Sequence, residues 1–158
     1  MTMTRTGEAF MPADDFGRGM RPFSVNLLVR DMRASLAFYE KVLGAAVRYA
    51  DGDFAVLKLL DFEFMLHVDH TYDHHPLYER LKNPGVRGTG AELRVFGIDP
   101  DSLERRAREA RATIIQSTRD FPHGWRDVML AEPGRVYLGG GSADKQGTVR
   151  ETIAEGER

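Results

Sequence analysis

Apolar and polar residues alternate from Phe23 to Val29, a pattern that predicts a β-strand with one apolar face. From Met32 to Val42 the apolar residues recur at helical spacing, and the flanking Asp31 and Gly44 supply an N-terminal cap and a C-terminal stop. Three further strands are predicted before residue 69. The first part of the chain therefore forms a β-α-β-β-β unit.

The same plan returns 68 positions later, where Asp99 takes the place of Asp31. The residues from Ala91 to Phe96 alternate as a strand, and Pro100 follows Asp99 at the first helical position. Three strands again follow the helix, the last two as a hairpin. An internal repeat of one supersecondary unit predicts an α+β protein built from two β-α-β-β-β modules.

The repeat and the polar segments around it define the domain organisation. A single domain, residues 21–140, contains both modules and a polar connector that holds several Pro and Gly residues. The flanks lack an apolar period, so we expect a flexible arm before the domain and a polar tail after it. The bounds are 1–20 for the arm, 21–69 and 91–139 for the modules, 70–90 for the connector and 141–158 for the tail.

The charge balance, the short apolar runs and the absence of cysteine argue against several classes of function. The 158 residues carry 22 Lys and Arg against 24 Asp and Glu, a net charge of -2, and include no cysteine. Balanced charge does not favour a nucleic acid or an anionic membrane as partner, and no apolar run is long enough for a membrane helix or a signal peptide. Without cysteine there is neither a disulfide nor a thiolate metal site. We therefore expect a soluble cytoplasmic protein.

Polar and aromatic side chains on the predicted strands are the candidates for a binding pocket. Asn26 lies on the polar face of the first strand, where it either lines a pocket or faces solvent. Glu92 and Arg94 share one strand face and form an ion pair, contact a ligand, or do both. Trp125 and Arg126 follow an aromatic loop, where they either stack on a planar ligand or pack the loop onto the protein.

The histidine-rich segment is the alternative site. Four histidines lie together with Asp69 within nine residues, from His67 to His75, but without the spacing of a helical metal motif. Most of them fall in the polar connector, where histidines are usually solvated. His67 lies on a strand and is the one that can pair with Glu92 to hold a divalent metal.

Two stretches resemble the vicinal oxygen chelate superfamily, which contains glyoxalases, extradiol dioxygenases and bleomycin-resistance proteins. The first strand ends in V-R-D-M before S-L-A-F-Y, and the final hairpin is R-D-V-M-L-A-E-P-G-R-V-Y-L, most similar to the bleomycin-resistance branch. The resemblance covers residues 21–140 and implies that the two modules form a curved, cup-shaped mixed sheet. It implies a fold more firmly than a function, because one scaffold hosts many chemistries.

The resemblance also implies where a metal would be held. Enzymes of the superfamily place His, Glu or Gln ligands on the first and last strands of each module. The corresponding positions here are Ser24, Met65 or Leu66, Glu92 and Leu138. Among these only Glu92 is a good donor for a divalent cation, so the usual metal site is not expected.

The combined prediction is a metal-free protein that binds a small planar or aromatic molecule through Asn26, Glu92, Arg94, Trp125 and Arg126. The resemblance implies antibiotic sequestration and a homodimer. The alternative is a lyase or dioxygenase that uses a divalent metal held by a rebuilt site. A third hypothesis is an interaction module in which large side chains fill the cup.

Overall fold

The computed structural model describes residues 11–83, 85, 87–88, 90–134 and 136–143. These residues form two four-stranded sheets, each with the helix of its own module packed on one face. The described part of the chain holds no helix with the length and apolar character needed to span a membrane.

The first sheet contains β1 (Val25–Val29), β2 (Ala46–Ala50), β3 (Phe54–Leu59) and β4 (Phe62–Val68). The strands lie in the order β1-β4-β3-β2, with β1 parallel to β4 and the other pairs antiparallel. Since parallel neighbours need a crossover connection, the helix after β1 and the hairpin after it carry the chain across. This is the predicted first module.

The second sheet repeats the arrangement with β5 (Glu92–Phe96), β6 (Thr113–Asp120), β7 (Trp125–Ala131) and β8 (Tyr137–Ala143). The order is β5-β8-β7-β6, and β5 is parallel to β8. The predicted α+β class with two β-α-β-β-β modules is confirmed.

Two strands of the second sheet are longer than the sequence pattern predicts. The sequence pattern predicts a strand over residues 113–116 and a loop over residues 117–124. In the structure β6 continues to Asp120, so the loop shrinks to a turn at Gly124, whose φ is 82°. β8 runs to Ala143, beyond the predicted end of the domain. The polar residues of β6 and the glycines of β8 show no apolar alternation, and their strand conformation comes from backbone pairing with β7.

Part of the predicted N-terminal arm is helical. The helix α1 (Ala13–Gly19) places the ring of Phe16 edge-on to Phe54 of β3, with 5.5 Å between the ring centroids. Seven residues are too few to show an apolar period, which explains why the sequence pattern predicted no helix there. Residues 1–10 of the arm and 144–158 of the tail lie outside the described residues.

The helix of the first module begins and ends as its sequence predicts. The carboxylate of Asp31 accepts a hydrogen bond from the backbone N of Ala34 at 3.0 Å, at the start of α2 (Met32–Phe38). A π-helical turn, Tyr39–Leu43, continues the helix and stops at Gly44, whose φ is 75°.

The helices of the connector and the second module complete the fold. The connector holds the short α3 (Tyr78–Leu81). In the second module Asp99 caps α4 (Pro100–Glu109) by accepting a hydrogen bond from Ser102 N at 3.0 Å. The capping residue predicted for each module is thus in place.

One apolar core serves both modules. Tyr39 and Val42 from the first module share it with Leu103 and Leu130 from the second, all within 1% of full burial. A hydrogen bond of 2.7 Å from Arg106 Nε to the carbonyl oxygen of Val42 joins α4 to the π-helical turn. The helices α2 and α4 therefore cover one face of each sheet, and α1 packs against part of the opposite face of the first sheet through Phe16. The faces opposite α2 and α4, here called the open faces, carry four of the candidate site residues, Asn26, Glu92, Arg94 and Trp125.

Candidate functional site

Alternation along β5 and β7 selects the residues on the open face of the second sheet. Leu93 and Val95 of β5 pack into the core, which leaves Glu92, Arg94 and Phe96 on the open face. On β7, Val128 and Leu130 enter the core, so Trp125 and Asp127 lie on the open face.

The strand β8 lies between β5 and β7 and contributes glycines to this face. Gly139 pairs with Arg94, and Gly141 pairs with Phe96 and Asp127. Strands two apart are separated by about 9.5 Å, a span that a side chain on the middle strand would normally fill. A Cβ on Gly139 would lie 2.6 Å from Glu92 Oε1. The glycines therefore let side chains from β5 and β7 meet across β8.

The first cross-strand contact is an ion-pair network centred on Arg94. Its Nη1 donates to Glu92 Oε1 at 2.9 Å, and its Nη2 donates to Asp127 Oδ2. The side chain of Asp127 is 9% exposed, and its other oxygen, Oδ1, is buried without a hydrogen-bond partner. The side chains of Glu92 and Arg94 are 35% and 36% exposed, so both remain accessible to a bound molecule.

The second cross-strand contact is aromatic. The rings of Phe96 and Trp125 meet with 4.7 Å between their centroids, and the guanidinium of Arg94 lies 5.5 Å from the centre of the Phe96 ring. Phe96 is 45% exposed. Aromatic faces beside a charged network suit a flat ligand that carries polar groups.

A cavity of about 560 Å³ adjoins this surface. Phe23, Leu60 and Phe62 of the first module form one side of it, and Glu92, Arg94 and Phe96 of β5 lie on the other. Pockets for small molecules are usually about 300–1,000 Å³, mostly apolar, with a few polar groups. The cavity meets both conditions.

Arg126 lies on the helix-covered face of β7. Its guanidinium donates two hydrogen bonds to Asp101 of α4, at 2.7 and 2.8 Å, and a third to Asp120 at 2.9 Å. These hydrogen bonds raise the pKa of Arg126 further above its ordinary value. The residue predicted beside Trp125 therefore ties β7 to α4, on the opposite side of the strand from the Trp125 ring.

Asn26 lies on the open face of the first sheet, in a separate polar cluster. Its Oδ1 lies 2.7 Å from His67 Nδ1, and its amide nitrogen donates to the hydroxyl of Tyr72 at 2.5 Å. The ring of His67 also contacts that of Phe54, with centroids 4.6 Å apart. The two polar ends of Asn26 are thus engaged by His67 of its own module and by Tyr72 of the connector.

The donors present do not fit the metal site that the resemblance implies. Glu92 is bound to Arg94, Ser24 is exposed, and Leu138 is 3% exposed in the core. The neighbours of Leu138 on the open face are Tyr137 and Gly139, neither of which offers a carboxylate or an imidazole. Across the described ranges, no three His, Asp or Glu residues are grouped so as to hold a metal ion.

Each histidine of the connector contacts a different partner. His70 Nε2 lies 2.8 Å from Asp53 Oδ1, and His74 pairs with Asp73 at 3.7 Å. His75 Nδ1 accepts a hydrogen bond from the backbone of Leu77. They form no common site.

Three residues of the candidate site were absent from the sequence prediction. They are Phe96, Asp127 and Gly139. The run of three glycines that begins at the end of the last predicted strand, residues 139–141, was the available clue, because glycine in a strand marks close approach of other groups. The residues of β5 and β7 that approach each other across these glycines could be identified only from the order of strands in the sheet.

Comparison with known proteins gives a family match and similar structures. Residues 21–137 match the family model described as Glyoxalase/Bleomycin resistance protein/Dioxygenase superfamily. A family enzyme of that description from Burkholderia phytofirmans PsJN is similar with a TM-score of 0.64 and 21% identity, over 76% of this chain and 96% of that one. A second such protein, from Nocardioides, has a TM-score of 0.63 and 18% identity, over 86% and 93% of the chains.

A lactoylglutathione lyase from Agrobacterium tumefaciens is also similar, with a TM-score of 0.58 and 17% identity over 77% of this chain and 92% of that one. At these identities the similarity shows the fold alone. A search of curated proteins found no match to the sequence.

Proposed function

Since the chain belongs to the glyoxalase/bleomycin resistance protein/dioxygenase superfamily, we propose that it is a metal-free protein that binds a small planar or aromatic molecule. The binding surface is the open face of β5 and β7 with the adjoining cavity. The observation that carries the proposal is the pair of rings, Phe96 and Trp125, which meet across the glycines of β8 beside the network of Arg94.

Each part of the surface has a role in this proposal. The rings of Phe96 and Trp125 provide faces for stacking. Arg94, fixed between two carboxylates, presents a planar cation without a large loss of side-chain entropy on binding. Glu92 accepts a hydrogen bond from the ligand with its exposed oxygen. Asn26 and Arg126 have other partners, and the proposal does not require them.

The donor set supports binding without a metal. A divalent cation needs several oxygen or nitrogen ligands on one face, and Glu92 is the one carboxylate at the superfamily's ligand positions. Its oxygen is already neutralised by Arg94 at 2.9 Å. Planar antibiotics are the first ligands to screen, because the final hairpin resembles the bleomycin-resistance branch.

The test compares Trp125→Ala with Phe121→Ala, which removes a ring from the same hairpin that contacts His123 rather than Phe96. Planar antibiotics and aromatic metabolites are screened by the rise in Tm that a ligand of the folded state produces. For a molecule found this way, Trp125→Ala should raise Kd about tenfold or more, while Phe121→Ala leaves Kd nearly unchanged. If Trp125→Ala bound that molecule with the same affinity as the wild type, the proposal would be contradicted.

The alternative is a lyase or dioxygenase with a divalent metal held by Glu92 and His67, which would have to leave Arg94 and Asn26, their partners in this structure. It predicts about one metal per chain in protein purified without chelator. It also predicts that Glu92→Gln loses that metal. Metal content by elemental analysis, with Tm measured against added Ni²⁺, Mn²⁺, Fe²⁺, Zn²⁺ and Co²⁺, separates the two proposals.

We further propose a cytoplasmic homodimer. The edge strands β1 and β5 each pair on one side only in the described part of the chain. The cavity beside them is lined by three exposed apolar residues, Phe23 (73%), Leu60 (55%) and Phe62 (39%). A second copy that covers these side chains would remove an exposed apolar patch from water. Sedimentation equilibrium is the test, and a monomer at micromolar concentration would contradict the dimer.

A further inference from the structure

A second cavity lies between the helices, on the side of the molecule away from the open faces. It measures about 750 Å³ and is lined by α2, the π-helical turn and the C-terminal end of α4. Its apolar lining consists mainly of small residues, Ala34, Ala37, Ala110 and Ala112, with Phe38 and Val42. We call it the helix groove. Its size is that of a small-molecule pocket.

The rim of the helix groove is positively charged. Lys41, Arg106 and Arg111 line it together with a single acid, Glu109, so the charges sum to +2. The side chains of Lys41 and Arg111 have no hydrogen-bond or ion-pair partner among the described residues. Like charges brought together without partners repel one another, unless an anion lies between them.

Arg106 is held in position for such an anion. Its Nε donates to the carbonyl oxygen of Val42 at 2.7 Å, which anchors the guanidinium at the groove. Two nearby arginines have acidic partners instead. Arg108 binds Glu104, and Arg126 binds Asp101. The groove thus brings Lys41 and Arg111, which have no acidic partner among the described residues, next to the anchored guanidinium of Arg106.

The backbone conformation of Arg111 is a second, independent observation. Its φ is 55°, in the left-handed region that is unfavourable for a residue with a Cβ atom. The first module ends its helix in the same left-handed conformation with Gly44, at a φ of 75°. An arginine at this helix end costs backbone energy that a glycine would not, and such strain is commonly retained at functional sites.

We propose that the helix groove binds an organic anion. Its apolar body lies on the alanine-lined floor, and a carboxylate, sulfonate or phosphate group lies between Lys41, Arg106 and Arg111. The site is separate from the surface of Phe96 and Trp125, and it does not depend on the function proposed there.

The probes are anilinonaphthalene sulfonate and its neutral analogue phenylnaphthylamine, whose fluorescence rises on binding to apolar protein surfaces. The variants are Arg111→Gly and Lys41→Ala at the groove, and Trp125→Ala at the open face. Arg105→Ala is the matched control, because Arg105 is an exposed residue of α4 that does not line the groove and its loss changes the net charge equally.

We expect the wild type to bind about one sulfonate per chain, with an affinity that falls as salt rises. Arg111→Gly and Lys41→Ala should each weaken sulfonate binding about tenfold or more, with little change for the neutral probe. Arg105→Ala and Trp125→Ala should retain wild-type affinity for the sulfonate. The Tm of Arg111→Gly should match the wild type or exceed it by up to about 4 °C, since the strain is relieved.

Three results would overturn the inference. Unchanged sulfonate affinity in both Arg111→Gly and Lys41→Ala would mean that the rim does not hold the anion. Equal losses in Arg105→Ala and Arg111→Gly would indicate a general effect of net charge. If only Trp125→Ala weakened sulfonate binding, the anion would bind at the open face and not in the helix groove. That result would not contradict the function proposed for the open face.

Discussion

Two adjacent glycines of β8 have opposite surroundings because alternate residues of a strand face opposite sides of the sheet. A Cβ on Gly139 would lie 2.6 Å from the carboxylate oxygen of Glu92 on the open face. A Cβ on Gly140 would lie 2.3 Å from a methyl group of Leu103, which is 1% exposed in the core. The two clashes differ in how easily the neighbour can move.

Gly139→Ala and Gly140→Ala are therefore expected to separate binding from stability. Glu92 is half-exposed and can swing aside, so Gly139→Ala should change the free energy of unfolding by less than about 0.5 kcal/mol but disturb the Glu92–Arg94 pair and weaken ligand binding. Leu103 has no free space, so Gly140→Ala should cost about 1–3 kcal/mol. Urea unfolding of both variants is the measurement, and equal losses of stability would contradict this account.

At the scale of elements, the repeat places an aspartate at the start of each long helix. Asp31 accepts from Ala34 N and Asp99 accepts from Ser102 N, both at 3.0 Å. Each satisfies one of the backbone N–H groups that the first turn of a helix leaves unpaired. The sequence predicts both caps, because capping depends on residues within one turn of the chain.

Asp31→Ala and Asp99→Ala should each lower the free energy of unfolding by about 1 kcal/mol, because each removes one capping hydrogen bond. The control is Asp61→Ala, since Asp61 lies fully exposed in a turn with only a 3.9 Å contact to Lys58. It should change the stability by less than about 0.5 kcal/mol. Chemical denaturation of the three variants measures their free energies of unfolding. A cap variant as stable as Asp61→Ala would show that its cap does not stabilise the fold.

At the scale of the whole molecule, Glu132 joins the two modules. It is 1% exposed and accepts hydrogen bonds from Ser35 Oγ of α2 and from Gly134 N, both at 2.5 Å. Burial raises the pKa of Glu132 above its ordinary value of about 4.5, although these hydrogen bonds oppose the rise. The folded protein therefore holds this proton more tightly than the unfolded chain does.

The stability of the wild type should consequently fall relative to Glu132→Gln as the pH rises above about 4.5 and through the folded-state pKa of Glu132. The difference between the two unfolding free energies changes by at most about 1.4 kcal/mol per pH unit. Below the ordinary pKa of glutamate the difference is constant, because the carboxyl is protonated in both states. Urea unfolding across the acidic and neutral range is the measurement.

Glu104→Gln serves as the control of opposite sign. Hydrogen bonds from the backbone and side chain of Thr118 lower the pKa of Glu104 to about 2. Its stabilising contribution is present above the ordinary pKa and is lost as the pH falls towards about 2. A pH-independent difference between the wild type and Glu132→Gln would contradict the role of burial at Glu132.

The sequence by itself determined what depends on neighbours along the chain. Alternation assigned Leu93 to the core and Arg94 to the opposite face, and a shift of 68 positions related the two modules. The face on which a strand residue lies depends on a period of two residues, and a helix cap depends on residues within one turn. Both can therefore be read from a short stretch of sequence. The pairing of Glu92 with Arg94, two residues apart on one strand, followed from the same rule.

Only the tertiary structure decided which strands became neighbours. The order β5-β8-β7-β6 brings Arg94 to Asp127 and Phe96 to Trp125 across a strand of glycines, although about 30 residues separate each pair along the chain. The packing of the helices on the sheets also brings Arg126 to Asp101 of α4 and buries Leu138 in the core. Contacts across a sheet depend on the strand order, and no local period of the sequence records that order.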